Sequence, residues 1–164
     1  MSGKGRIQAP QASGLIAAGL PGFVLLVFFV LFIDQITKSL AVGSLSHVGT
    51  VPVISGIFHL TLVHNTGTAF GLFRGQSLLV SITTALIVVA VLFSILRQGH
   101  FQKADVRLGF GLIVGGAIGN LIDRFRVGAV IDFLDFRVWP VFNVADSCIT
   151  IGAVVIAWHF IRHR

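Results

Sequence analysis

Four long apolar runs, separated by short polar segments, constrain this chain more than any other feature of the sequence. They lie at residues 14–33, 77–96, 108–122 and 147–161. A helix that crosses a bilayer needs about 20 mostly apolar residues, and shorter runs also span when their flanks lie in the interface. The 164 residues leave no room for a separate soluble domain. The sequence therefore predicts one domain, residues 1–164, built as a membrane all-α bundle of four transmembrane helices.

The composition agrees with a lipid solvent and argues against other classes of protein. Hydrophobic residues make up 55% of the chain and charged residues only 11%, against about 25% charged in soluble domains. The formal net charge of +6 does not indicate a nucleic-acid partner, because the basic residues lie beside apolar runs and not among aromatics on one face. The single cysteine, Cys148, and six scattered histidines predict no disulfide, no metal site and no cofactor.

The distribution of Lys and Arg predicts the orientation of the chain in the membrane. Placing the polar segment 1–13, the 97–107 connection and the carboxyl terminus in the cytoplasm puts seven of the twelve basic residues there, as the positive-inside rule favours. The only acid on that side is Asp105, which we expect to be a solvated loop charge. Residues 41–76 and 123–146 then form two extracytoplasmic segments. The first contains the β-favouring pieces VGTVPVISG and IFHLTLV and predicts a small sheet or hairpin.

Aspartates are the candidates for chemistry, because all six acidic residues are Asp and five lie near predicted span ends on the outer side. Ionisable groups at membrane depth are costly and usually functional, although capping or ion pairing is the ordinary alternative. Asp34 has Lys38 one helical turn later, which accounts for it as an ion pair. Asp146 follows Asn143 by three residues, which is typical of a helix cap. Asp132 lies in an apolar VIDF segment with no base at neighbouring positions.

Two carboxylates held together at a dry boundary cannot both ionise easily, so they share a proton over part of the pH range. One then acts as base and the other as acid, which is what activation of a water against a peptide carbonyl requires. The helix end favours ionised Asp146, and apolar neighbours favour neutral Asp132. Asp135 receives no role.

The third apolar run carries two further patterns. Gly111, Gly115 and Gly119 are spaced four residues apart, which lets a neighbouring helix approach closely in lipid. The second pattern lies at the end of the run, where Gly116, Asn120 and Asp123 share one helix face by i,i+4 and i,i+3 spacing and Arg124 is adjacent to Asp123. A polar stripe of this kind predicts an organised site. The Arg124 side chain is expected to hold a carboxylate, a backbone carbonyl or a substrate backbone.

Five segments, taken in order, resemble those of the bacterial lipoprotein signal peptidases, the signal peptidase II family. They are DQITK, VHNTGTAFG, GGAIGNLIDR, VIDF and FNVADS. The resemblance implies an aspartyl endopeptidase of the bacterial inner membrane that cleaves the signal peptides of prolipoproteins before a diacylglyceryl-modified cysteine. It implies that Asp132 and Asp146 are the catalytic residues. It assigns supporting roles to Asp34, Lys38, Asn65, Gly67, Gly116, Asn120, Asp123, Arg124, Asn143 and Ala145.

The resemblance also implies a β-cradle at residues 41–65 and a short extracytoplasmic helix at residues 68–76. Prolipoproteins and membrane lipids are the implied partners, and we expect a monomer. Two other classes stay open from the residues alone. A transporter or proton-conducting protein would use the carboxylates as an ion path, but a relay needs polar groups across the whole membrane depth. A noncatalytic lipid-binding or assembly factor would not explain why a carboxylate, Asp132, lies in an apolar segment.

Overall fold

The computed structural model describes residues 12–66 and 103–163 and four positions between them. Those positions are Ile82, Leu86, Val89 and Phe93. The described elements are helices α1 (Ala12–Leu45), α2 (Ala104–Val127) and α3 (Val144–Arg162) and strands β1 (Thr50–Ile54), β2 (Phe58–Asn65) and β3 (Val130–Asp135). Three helical stretches are long and apolar enough to cross a membrane, namely Gly19–Leu45, Ala104–Val127 and Val144–Arg162. The structure thus confirms an apolar helical protein with a small sheet.

Most of the predicted second span lies outside the described residues. Its four described positions are helical and exposed, and their spacing places them on one helix face. Gly67 and the predicted helix at residues 68–76 also lie outside the described part of the chain.

The helices are longer than the apolar runs predicted, which corrects several boundaries. Helix α1 continues past residue 33 to Leu45, so the first residues of the predicted β-rich segment 41–76 are helical. The polar DQITK segment does not end this helix, because its charges are paired inside the bundle. Helix α2 begins at Ala104 and ends at Val127, where Gly128 in the left-handed region (φ 74°) donates its N–H to the Arg124 carbonyl. The predicted loop residue Asp105 therefore lies in the first turn of α2.

The sheet is antiparallel in the order β1-β2-β3. The β1-β2 hairpin confirms the strands predicted at residues 41–65. Strand β3 was not predicted, since it lies in the outer segment 123–146 and its partner β2 is far away in the sequence. The pairing aligns Val63 with Asp132 and Asn65 with Val130, which brings the VHN segment beside the VIDF segment.

Glycines bring α2 into close contact with helices on both sides. An added Cβ at Gly111 would lie 2.6 Å from Leu26 Cδ2, and one at Gly115 would lie 2.8 Å from Val30 Cβ, both on α1. This confirms the close helix approach predicted from the glycine spacing. On the other side, a Cβ at Gly152 of α3 would lie 2.5 Å from the Gly109 carbonyl oxygen. Backbone therefore meets backbone where α2 crosses α3.

Gly152→Ala is expected to lower the stability of the protein in detergent. The new methyl group would meet the Gly109 carbonyl, and overpacking of this kind costs about 1–3 kcal/mol. Gly22→Ala is the matched control, because Gly22 lies on the exposed side of α1 with nothing within 4 Å of its Cβ position. Thermal unfolding of the two variants tests this, and equal melting temperatures would contradict the packing.

Candidate active site

The two candidate catalytic carboxylates come from different elements and different environments. Asp132 projects from β3 and is 1% exposed. Asp146 is in the first turn of α3 and is partly exposed, and it lines a mostly apolar cavity of about 500 Å³ with Phe136, Trp139 and Phe142. One carboxyl group is therefore enclosed by protein, and the other faces a space that a ligand can enter.

Asn143 connects the two carboxylates. Its side-chain amide donates to Asp132 Oδ1 at 2.6 Å and to Asn120 Oδ1 at 3.1 Å. Its side-chain oxygen accepts the Asp146 backbone N–H at 2.9 Å, while its own backbone N–H donates to Asp146 Oδ2 at 3.4 Å. These last two bonds form a capping box at the start of α3. The cap that the sequence predicted is confirmed, and the capping residue also holds Asp132.

Asn120 of α2 forms a second bridge on the same side of the site. Its amide nitrogen donates to Asp146 Oδ1 at 2.8 Å, and its oxygen accepts from Lys38 Nζ at 2.9 Å and from Asn143. Because donors face its oxygen and a carboxylate faces its nitrogen, the orientation of the amide is determined by its neighbours. Asp146 thus has a hydrogen bond to each of its two oxygens.

Asn65 holds the other oxygen of the buried carboxyl group. It lies on β2 opposite Val130, next to the Val63–Asp132 pair, and its amide donates to Asp132 Oδ2 at 3.0 Å. Asp132 therefore accepts one amide hydrogen bond at each oxygen, from Asn65 on one side and Asn143 on the other.

A buried lysine lies beneath this asparagine network. Lys38 is 1% exposed, and its ammonium group donates to Asp34 Oδ2 at 2.9 Å, to Asp123 Oδ2 at 2.7 Å and to Asn120 Oδ1 at 2.9 Å. An ammonium group has three N–H donors, so all three are satisfied. The predicted Asp34–Lys38 pair is confirmed and belongs to a larger cluster.

The carboxylates of this cluster also hold the backbone of the elements that carry the dyad. Asp34 Oδ1 accepts the N–H of Ala145 at 3.0 Å, and Asp123 Oδ2 accepts the N–H of Ile131 at 3.2 Å. Ala145 precedes Asp146, and Ile131 precedes Asp132. Each supporting carboxylate therefore positions the residue next to a candidate catalytic one.

Gln35 also belongs to the site, through hydrogen bonds to two of its carboxylates that the sequence did not predict. Its amide nitrogen donates to Asp34 Oδ2 at 3.2 Å and to Asp123 Oδ1 at 3.1 Å. It is part of the DQITK segment, but a single glutamine in a helix has no spacing or charge pattern that would identify such a role.

Burial raises the pKa of the Asp132 carboxyl group to about 7, and the negative charge of Asp146 acts in the same direction. The hydrogen bond from Asn65 opposes the rise, because it favours the ionised form. Asp132 is therefore able to hold a proton near neutral pH, as a general acid must.

Arg124 adds positive charge beside the dyad. It interacts electrostatically with Asp146, Asp132 and Asp123. Its Nε atom is buried and has no hydrogen-bond partner among the described residues. The guanidinium group therefore keeps one N–H donor unused close to both candidate catalytic carboxylates.

Gly116 and Ala145 allow α2 and α3 to meet beneath the dyad. A Cβ at Gly116 would lie 2.5 Å from the Ala145 carbonyl oxygen, so a larger residue would push the two helices apart. This contact brings Asn120, one turn further along α2, within reach of Asn143 and Asp146.

The other two aspartates lie away from this cluster. Asp135 accepts from Thr61 Oγ1 at 2.8 Å and pairs with Arg137 at 3.1 Å, and the Thr61 hydrogen bond chiefly lowers its pKa. Asp105 contacts His159 Nδ1 at 2.5 Å. Its side chain is 47% exposed, as predicted for a solvated charge, but it lies in the first turn of α2 and pairs with a histidine, so its prediction as a loop residue was wrong. The reason is that the helix start and the facing histidine come from distant parts of the chain.

Comparison with known proteins identifies the family. A family model described as Signal peptidase (SPase) II matches residues 26–162 of the chain. The chain belongs to the signal peptidase II family. It is 43% identical over 136 residues to the lipoprotein signal peptidase of Caldanaerobacter subterraneus subsp. tengcongensis, covering 82% of this chain and 92% of that protein. It is 48% identical over 134 residues to that of Nostoc punctiforme, covering 80% and 84%.

Solved structures agree with this assignment. A bacterial membrane enzyme determined by the in meso method superposes with a TM-score of 0.78 at 29% identity, covering 87% of this chain and 88% of that one. A second such structure gives a TM-score of 0.76 at 30% identity. As a signal peptidase II, the protein is a multi-pass bacterial membrane hydrolase of the aspartic peptidase class that cleaves the signal peptides of prolipoproteins. The predicted family and activity are confirmed.

Lys38→Met is expected to destabilise this signal peptidase by about 3–5 kcal/mol, the usual cost of leaving buried charge unpaired. Asp34 and Asp123 would then face each other without the ammonium group. Adding Asp34→Asn to this variant should recover part of the loss. Lys103→Met, which removes an exposed cation, is the control and should change stability by less than about 0.5 kcal/mol. Denaturant unfolding in detergent measures both, and equal effects would contradict the role of Lys38.

Proposed function

We propose that Asp132 and Asp146 are the catalytic dyad and that they activate a water molecule against the substrate peptide bond. The scissile bond is the one on the amino-terminal side of the diacylglyceryl-modified cysteine of a prolipoprotein. The observation that supports this is the shared asparagine network, which links the enclosed carboxyl group of Asp132 to that of Asp146, the one that lines the cavity.

The difference between the two environments supports a division of roles. Asp146, at the amino end of α3 with hydrogen bonds to both oxygens, acts as the ionised base and takes a proton from the attacking water. Asp132, whose pKa burial raises to about 7, holds its proton in a large fraction of the molecules at neutral pH and gives it to the carbonyl oxygen of the substrate. When the tetrahedral intermediate collapses, Asp146 gives the proton that it took from water to the leaving nitrogen, the carbon–nitrogen bond breaks, and Asp132 takes back a proton from one hydroxyl group of the intermediate as the new carboxyl group forms.

The surroundings of the dyad supply positions for the rest of the substrate. The unused Nε donor of Arg124 hydrogen-bonds a substrate carbonyl near the scissile bond. The cavity beside Asp146 has aromatic and aliphatic walls, including Trp139 and Ile151, and receives apolar parts of the lipid-modified substrate. The remaining supporting residues position the dyad and do not touch the substrate. Gly67, which lies outside the described residues, keeps its supporting role as part of this proposal.

We further propose that the chain has four spans with both termini in the cytoplasm and the dyad at the extracytoplasmic boundary. Three apolar helices and the four described helical positions Ile82, Leu86, Val89 and Phe93 support the number of spans. The distribution of basic residues supports the orientation. The dyad and the sheet lie at the same end of the helices, so both belong to the outer side. The enzyme acts as a monomer surrounded by membrane lipids.

A transporter or proton conductor receives no support from the described residues. A relay requires polar groups along the membrane depth. Between the dyad end of α2 and its first turn, the buried positions are glycine, alanine and valine. They are Gly109, Gly111, Val114, Gly115, Gly116, Ala117 and Gly119.

Asp132→Asn and Asp146→Asn are each expected to lower turnover of a diacylglyceryl-modified prolipoprotein by about 10²–10⁴-fold, since each removes a general acid or base. Asp135→Asn is the matched control and should keep most of the activity, because that carboxylate is occupied by Thr61 and Arg137. Cleavage in detergent is measured for variants whose melting temperature shows that they are folded. Near-normal turnover by a folded variant of either dyad residue would refute the assignment.

The pH dependence of kcat/KM should show an alkaline limb near pH 7, where Asp132 loses its proton. Asn65→Ala removes a hydrogen bond that favours the ionised form, so the pKa of Asp132 rises and the limb moves to higher pH, by about one pH unit. His64→Ala, at the neighbouring exposed position, should leave the limb in place. A limb that follows His64 and not Asn65 would show that another group titrates.

A further inference from the structure

A second cluster of ionisable side chains lies where α2 begins and α3 ends. Asp105 belongs to the first turn of α2. His159 and His163 are four residues apart at the end of α3, and their ring centroids are 4.6 Å apart. His159 is buried at 4% exposure, while the Asp105 side chain is 47% exposed. The cluster thus has a closed inner side and an open outer side.

The cluster is separate from the catalytic site. Asp105 and Asp123 are eighteen residues apart on α2, which corresponds to about 27 Å along a helix. With the dyad at the extracytoplasmic boundary, as proposed above, this cluster faces the cytoplasm.

The distances between the donor atoms suit a single ion. One ligating atom from each of Asp105, His159 and His163 lies within 4.8 Å of the other two. Metal–nitrogen and metal–oxygen bonds of about 2.0–2.2 Å place tetrahedral ligand atoms about 3.4 Å apart. Ligand atoms at the upper limit of 4.8 Å would have to move about 1.4 Å closer together, and Asp105 Oδ2 and His159 Nδ1, which are 2.5 Å apart, would separate to the same spacing. His163 is exposed at the helix end, where its side chain can make this adjustment. The ion would lie between Asp105 and the two imidazole rings.

The donor set indicates the class of ion. Two imidazoles and one carboxylate suit zinc and similar transition-metal ions, whereas magnesium and calcium prefer oxygen ligands. The carboxyl end of α3 carries the negative end of the helix dipole, which also favours a cation. Among nearby cations, Arg107 is directed towards Gly19 of α1, and Lys103 and Arg162 are exposed to solvent.

We infer that Asp105, His159 and His163 form a binding site for a divalent transition-metal ion that joins α2 to α3 at the end of the helices opposite the dyad. A hydrogen bond between Asp105 and His159 is sufficient to account for that pair alone. It does not account for the second imidazole, His163, on the same side of α3 with a ligating atom within 4.8 Å of those of both. A bound ion would hold the two helix ends together and stabilise the folded enzyme.

The test is a titration of the full chain in detergent, purified without a polyhistidine tag and treated with a chelator. Isothermal calorimetry with Zn²⁺ should show one bound ion per chain, and Mg²⁺ should give no binding. Zn²⁺ should also raise the melting temperature. Co²⁺ in place of Zn²⁺ should give the absorption bands of a tetrahedral nitrogen and oxygen site.

His163→Ala and Asp105→Asn, both at exposed positions, should each weaken Zn²⁺ binding by at least about tenfold, since loss of even an outer partner of a ligand costs that much. His47→Ala removes an exposed histidine elsewhere in the described chain and should change nothing. Absence of Zn²⁺ binding by the full chain would overturn the inference. So would an unchanged affinity in either ligand variant. Both outcomes leave the assignment of the catalytic dyad unaffected.

Discussion

The rest of the structure depends on the pairing of the buried Lys38 ammonium group with the side chains of Asp34, Asp123 and Asn120. A buried charge is tolerated only when every donor has a partner, and here the partners come from α1 and α2. The two carboxylates that neutralise it use their remaining capacity to accept backbone N–H groups beside Asp132 and Asp146. These hydrogen bonds therefore fix the positions of β3 and α3 relative to α1 and α2. This explains how α1 continues through a charged segment without ending.

The asparagines turn this scaffold into an asymmetric pair of carboxyl groups. Amides carry both donors and acceptors, so Asn120 and Asn143 link charged groups without adding charge. The same residue type then has two environments, one enclosed on a strand and one at a helix end beside a cavity. Differences of this kind divide acid from base in enzymes that use two carboxylates. Glycines of α2 make the arrangement possible, because only backbone contact brings the three helices this close.

Much of this site was predictable from the sequence. Asp34 with Lys38, and Asn143 with Asp146, are local pairs whose spacing indicates an ion pair and a cap, and both are confirmed. The glycine spacing likewise predicted close helix contacts. Gln35, strand β3 and the Asp105–His159–His163 cluster were not predictable, because each depends on partners far away in the sequence. The predicted helix ends at residues 33 and 122 were wrong for the same reason, since buried pairing lets polar residues remain helical.

The sequence by itself determined the membrane class, the order of the apolar helices, the hairpin and, through its five segments, the family and its activity. Those properties follow from apolar periodicity and local motifs, which are written in consecutive residues. Only the tertiary structure decided that one asparagine holds both candidate catalytic carboxylates and that Lys38 joins two more. Burial and hydrogen-bond partners across the bundle are properties of packing, and packing is what raises the pKa of Asp132.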